Sequence, residues 1–241
     1  MKKPVLVYYD ILEYRPENMD LLESWFQVVR LPDPGHDTPE ILKTAAVILA
    51  PLGYFLGREK MDAAPRLKVI GSNTTGHPHI DVEYAARQGV QVVTLKAAHD
   101  FLSTITPTAE LTWGLIIAVT RNVFPAFDSV RKGRWARWPF GGRRMLSRMS
   151  LGVAGYGRLG RLVASYGLSF GMKVRYYDPY VTEAAAGIER AGSLVELVEQ
   201  SDIVTVHIPH EPETEGLFDR EVFSRFREGA YFINTSRGEL V

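Results

Sequence analysis

Leu151-Gly-Val-Ala-Gly155-Tyr-Gly157-Arg-Leu-Gly160 is the stretch on which the reading of this chain turns. It opens as a short apolar run of strand type, and an apolar, helix-like segment follows it. Between the two, glycine recurs as Gly-x-Gly-x-x-Gly, and each glycine has its own reason. Gly155 permits a tight turn, Gly157 lets a bulky anion approach the backbone, and Gly160 lets the helix pack close to the strand. A helix starting there presents free amides and a partial positive charge to phosphate. Taken alone the pattern also fits a glycine-rich turn with no ligand, so its surroundings decide.

The next strand-like run ends in Tyr176-Tyr177-Asp178, with Asp178 lying 18 residues after Gly160. A carboxylate there accepts both ribose hydroxyls of a dinucleotide and repels a 2′-phosphate, which favours NAD over NADP. An adenosylmethionine-dependent methyltransferase also combines a glycine loop with an acid, but it needs different chemistry downstream. Here Ser201-Asp-Ile-Val-Thr-Val-His207-Ile-Pro209-His-Glu-Pro-Glu-Thr214 ends one strand, and Ala230-Tyr-Phe-Ile-Asn234-Thr235-Ser236-Arg237-Gly238 ends the next. Both endings should open on the carboxyl edge of a parallel sheet, where such folds bind ligands. Arg237 in that position can grip a carboxylate with a two-pronged hydrogen bond.

Working outward, short β-rich runs alternate with helix-like stretches, the pattern of an α/β protein with parallel strands. Strands are expected at residues 5–9, 46–49, 67–70 and 90–94, then in a second series at 150–154, 173–177, 203–207 and 231–234. Helices are expected over 18–29 and, after Pro107, over 108–121. Asp81 should cap a helix that Gly89 stops. Residues 131–148 mix Arg, Trp and Gly without a period and read as an extended arm or loop. The domain boundary falls near residue 100, giving domains 1–100 and 101–241.

Composition excludes several classes. The 241 residues are 46% hydrophobic and 23% charged, as in ordinary globular domains. With 28 basic and 28 acidic residues, nothing suggests nucleic acid or an anionic membrane as partner. There is no cysteine, so disulfides, thiolate metal sites and a cysteine nucleophile are out. No metal site is expected. No apolar run looks long enough for a signal peptide or a span, and a soluble cytoplasmic protein is the expectation. His79 with Asp81 reads as a structural histidine beside a helix cap rather than a dyad, and His207 as a strand-end histidine rather than a base.

Several further pieces, Asn73-Thr-Thr-Gly76-His-Pro-His-Ile-Asp81 and Thr108-Ala-Glu110 among them, join the glycine loop, Asp178, His207-Ile-Pro209 and residues 234–238 in one order. In that order the chain resembles the D-isomer-specific 2-hydroxyacid dehydrogenases. The resemblance implies a flavodoxin-like substrate domain followed by a Rossmann-type NAD-binding domain. It implies that Gly155, Gly157, Arg158, Leu159 and Gly160 cradle the pyrophosphate of NAD, and that Asp178 holds the adenosine ribose. His207, Pro209 and Thr214 would line the adenosine side, with Thr108, Thr235 and Ser236 by the nicotinamide. Arg237 would bind the carboxylate of a 2-hydroxy or 2-oxo acid and polarise the oxo group, and backbone amides of Asn73, Thr75 and Gly76 would meet the same carboxylate across a cleft.

Family members move the proton with a histidine backed by a glutamate, both placed after the arginine. The chain ends at Val241, four residues past Arg237, so it is expected to be truncated and to lack that pair. It also departs from many relatives in having Thr104 where they have asparagine, six residues before Glu110. Lys96 either favours a second anionic group on the substrate or is simply solvated. A homodimer through the long helix and the 131–148 arm is implied. The alternative is a non-catalytic module for NAD-responsive binding or for dimerisation.

Overall fold

A computed structural model describes residues 2–241, and the chain divides into two compact units, residues 1–104 and 105–241. Each unit is built on one five-stranded sheet whose pairings are all parallel. The first unit runs β1 (Val5–Tyr9), α1 (Pro16–Trp25), β2 (Gln27–Leu31), α2 (Pro39–Leu42), β3 (Val47–Leu49), α3 (Arg58–Asp62), β4 (Val69–Gly71), α4 (Val82–Arg87), β5 (Gln91–Val93) and α5 (His99–Ser103). Its strand order, β2-β1-β3-β4-β5, is the flavodoxin-like one. The second runs α6 (Pro107–Thr120), α7 (Val123–Arg131), β6 (Ser150–Ala154), α8 (Arg158–Ser169), β7 (Lys173–Tyr177), β8 (Ile188–Arg190), α9 (Leu194–Glu199), β9 (Ile203–Val206), α10 (Arg220–Ser224) and β10 (Tyr231–Asn234). There the order is β10-β9-β6-β7-β8.

Parallel strands are covered on both faces, and the residues show it. Along β1, Leu6 and Tyr8 pack with Met19 of α1, while Val7 and Tyr9 enter the opposite layer with Ile48 and Ile70. Every residue of β6 and β9 is buried. Leu151 and Val153 of β6 meet Trp113 of α6 and Val163 of α8, and Trp113 also donates its indole N–H to the Val163 carbonyl at 3.2 Å.

The structure corrects four expectations. The helix expected over 18–29 stops at Trp25, because Phe26 is extended (φ −122°, ψ 156°) and the β-branched pair Val28-Val29 lies in β2. β8 was not foreseen; only Ile188 of its three residues is buried, so it carries no alternation to read. The stretch 131–148 is not wholly irregular: α7 runs to Arg131, and single helical turns form at Trp138–Phe140 and Leu146–Arg148. Finally, residues 99–120 do have the length and composition of a membrane span. They fold as two helices, α5 and α6, and Ala109, Trp113 and Ile116 of α6 are spent on the core of the second unit.

Candidate functional site

In the second sheet the chain starts at central β6, adds β7 and β8 on one side, then crosses back to lay β9 and β10 on the other. The crevice at the carboxyl ends of β6 and β9 is therefore the switch point at which such sheets bind ligands. Gly155 turns the chain there with φ +88°, and its N–H donates to the Tyr177 carbonyl at 2.8 Å. A Cβ on Gly155 would stand 2.7 Å from the His207 carbonyl oxygen, and one on Gly160 would stand 2.0 Å from the Gly155 carbonyl oxygen. Gly157 differs: a Cβ there would meet nothing within 4 Å. Packing thus explains two of the glycines, and open space in front of the α8 N-terminus is left by the third.

That space suits the pyrophosphate of a dinucleotide, since the first amides of a helix have no intrahelical acceptor. The side chains of Arg158 and Leu159 have partners of their own. Arg158 donates through Nη1 to the Ile105 carbonyl at 2.7 Å, and Leu159 packs against the core cluster around Val153.

Asp178, at the end of β7, is already engaged. Its Oδ2 accepts from the Tyr156 amide at 2.8 Å, and its Oδ1 accepts from the amides of Tyr180 (2.9 Å) and Val181 (3.1 Å). A carboxylate offers about four lone-pair sites, so one remains, on Oδ2. That open site can accept a ribose hydroxyl. Tyr156 was not singled out from the sequence. It is buried, stacks on Tyr176 with ring centroids 4.0 Å apart, and has the Arg161 guanidinium 4.5 Å from its ring centre. It anchors the middle of the glycine loop to the core.

At the end of β9, the His207 amide donates to the Ala154 carbonyl at 2.7 Å, and its Nε2 lies 3.0 Å from Thr205 Oγ1. Burial pushes its pKa down to about 4, so the ring is neutral near pH 7. Pro209 and Thr214 close one turn: Thr214 Oγ1 donates to the Pro209 carbonyl at 2.9 Å and accepts from the Glu211 amide at 2.8 Å.

Three threonines link α6 to the end of β10. Thr112 Oγ1 lies 2.8 Å from both the Thr108 carbonyl and Thr235 Oγ1. Ser236 donates its hydroxyl to the Val206 carbonyl (2.8 Å) and its amide to Asn234 Oδ1 (2.9 Å), while Asn234 Nδ2 donates to the Arg237 carbonyl (2.7 Å). Asn234 thus staples the turn that presents Arg237, a role with no signal beyond its place in the motif. Arg237 is exposed and spends one N–H on the Ser236 carbonyl at 2.9 Å, which leaves most of its fork open. Gly155, Gly157, Gly160, Asp178, His207, Pro209, Thr214, Thr235, Ser236 and Arg237 therefore all follow the carboxyl ends of β6, β7, β9 and β10.

Asn73, Thr75 and Gly76 belong to the first unit, in the loop after β4. The loop is held from within: Thr74 Oγ1 donates to the Gly76 carbonyl at 2.6 Å and lies 2.9 Å from Ser72 Oγ, and the Thr74 carbonyl accepts from the Leu95 amide at 3.0 Å. His79 is buried with Nε2 on Ser72 Oγ at 3.1 Å, and burial lowers its pKa. Asp81 accepts from the Tyr84 amide at 2.9 Å as a helix cap.

A parallel sheet with a glycine turn, an open helix N-terminus and an acid ending the neighbouring strand defines a dinucleotide-binding α/β protein. Residues 113–241 match the family described as D-isomer specific 2-hydroxyacid dehydrogenase, NAD binding domain. D-3-phosphoglycerate dehydrogenase of Methanocaldococcus jannaschii is 36% identical over 205 residues, covering 84% of this chain and 38% of the relative. That of Mycobacterium tuberculosis is 34% identical over 249 residues, covering 100% of this chain and 45% of the relative. Among solved structures, D-lactate dehydrogenase from Aquifex aeolicus, complexed with NAD and lactic acid, superposes with a TM-score of 0.80 at 30% identity, covering 98% of this chain and 70% of that one. The chain belongs to the D-isomer-specific 2-hydroxyacid dehydrogenase family, and its second unit carries that family's NAD-binding domain. It spans less than half the length of these curated relatives.

Proposed function

We propose that this chain binds NAD on its second unit and serves the NAD-dependent interconversion of a D-2-hydroxy acid and its 2-oxo acid. The observation that carries the reading is the open space in front of Gly157, at the start of α8, beside a carboxylate with one unfilled lone-pair site. NAD, when bound, supplies or accepts the hydride. Glycine-loop amides hold the pyrophosphate, Asp178 takes one ribose hydroxyl, and the turn at residues 234–237 aims Arg237 at the carboxylate of the acid. Arg237 also polarises the oxo group, a task its fixed planar fork performs better than a lysine. His207, neutral and half-buried, lines the nucleotide side rather than moving the substrate proton. The roles of Asn73, Thr75 and Gly76 toward substrate rest on family resemblance.

Titration of the chain with NAD and NADP tests the cofactor reading. NAD should bind at least tenfold more tightly, because a 2′-phosphate beside Asp178 adds like-charge contact, and Asp178→Ala should narrow the gap. Equal affinities in the parent chain would sink it. Arg237→Gln should weaken binding of 2-oxo acids without changing NAD affinity.

The chain also works as a homodimer in this reading. Exposed Phe124, Phe127 and Val130 of α7, with Trp135 and Trp138 beyond it, make the kind of aromatic surface that interface cores use. Light scattering at micromolar concentration should give twice the 27.0 kDa chain mass, and a monomer there contradicts the proposal.

A further inference from the structure

At the amino edge of the second sheet, where β6, β7 and β9 begin, lies a cavity of about 570 Å³. Arg144, Arg148, Lys173, Arg175 and Arg227 line it, against one carboxylate, Asp202. In a chain with no net charge this is a strong local excess of one sign.

Asp202 does not neutralise the wall so much as build it. Its Oδ2 accepts from the Ser150 amide (2.8 Å) and hydroxyl (3.0 Å), and its Oδ1 accepts from Arg144 Nη1 at 2.9 Å, with Arg227 Nη1 at 3.6 Å. Burial alone raises its pKa, but the Arg144 and Ser150 donors outweigh this and lower it, so Asp202 stays a charged post. Arg227 also donates to the Glu199 carbonyl at 2.8 Å, the ordinary use of a cation at a helix C-terminus. Arg175 is paired with Glu189 at 2.8 Å. Arg148 and Lys173 are the surplus: both are exposed, and neither side chain has a hydrogen bond or ion pair among the described residues. No aromatic ring lines the cavity, so it has no platform for a nucleobase.

We propose that this cavity is a binding site for a compact polyanion, a small phosphate or polycarboxylate without a base. It is separate from the glycine loop, since the length of β6, roughly 16 Å at about 3.3 Å per residue, lies between them. Ligand oxygens replace water on Arg148 and Lys173, while Arg144 and Arg227 are already oriented by Asp202.

Calorimetric titration of the chain at fixed ionic strength, with NAD present in excess to fill the glycine loop, tests this. Inorganic pyrophosphate is the probe in one arm and citrate in the other. Saturable binding is expected in at least one arm, and the arm that binds distinguishes phosphate from carboxylate chemistry. The double variant Arg148→Gln, Lys173→Gln should weaken that binding at least tenfold while its NAD affinity and circular dichroism stay those of the parent. Heats that follow ionic strength alone, absence of binding in both arms, or equal binding by the double variant each overturn the site.

Discussion

Gly157 and Gly160 stand one helical turn apart and demand glycine for opposite reasons. A methyl on Gly160 collides with backbone at 2.0 Å, whereas a methyl on Gly157 enters open space. Gly160→Ala should therefore unfold at lower temperature, with a loss on the order of 1–3 kcal/mol or more for overpacking. Gly157→Ala should melt like the parent but lose NAD affinity about tenfold or more, since it fills room meant for phosphate. Differential scanning fluorimetry with and without NAD reads both. A second residue-scale prediction concerns His207. Its folded pKa of about 4 lies below the ordinary value of 6.5, so its stabilising contribution is present above pH 6.5 and is lost as pH falls from there through 4. Over that window unfolding free energy should fall by up to about 1.4 kcal/mol per pH unit from this group. Urea titrations of His207→Gln should show a shallower acid-side slope, and an unchanged slope counts against the burial argument.

Among the elements, the turn at residues 234–237 shows how a short segment makes a site. Asn234→Ala removes the acceptor of the Ser236 amide and the donor to the Arg237 carbonyl together. About 1 kcal/mol of stability should go with them, but binding of 2-oxo acids should weaken more than binding of NAD. Equal loss of both ligands would mean that the turn merely supports the sheet. The same scale shows what could be read from the sequence. β6 and β9 were legible because central strands of a parallel sheet are continuous, fully buried apolar runs, and β7 and the edge strand β10 because their aromatic and β-branched residues stand directly before the motifs they lead into. β2 and β8 lie at sheet edges and were missed. In β2, Val28 and Val29 extend the helical spacing of Leu21, Leu22 and Trp25, and only the extended Phe26 separates the two elements. The tight turn at Gly155, which the glycine motif announces, was likewise legible. Tyr156, Thr112 and Asn234 were not, because their work lies in contacts with partners distant in sequence or in a turn geometry no spacing announces.

For the whole molecule, each unit has its own sheet and its own apolar clusters. Residues 105–241 expressed alone should therefore bind NAD within a few-fold of the affinity of the full chain. A fragment that folds, by circular dichroism, but binds more than tenfold more weakly contradicts this. Within the second unit the all-parallel sheet has two rims of different character, carboxyl ends with the glycine loop and amino ends with the cations around Asp202. β6 touches both, since Ser150 binds Asp202 at one end and Ala154 leads into Gly155 at the other. All five of its residues are buried, so it behaves as a stiff ruler between two reading heads. Substitutions at one rim can then drift freely in evolution without retuning the other, and a lineage could acquire or lose a response to anions while its chemistry with NAD stands still.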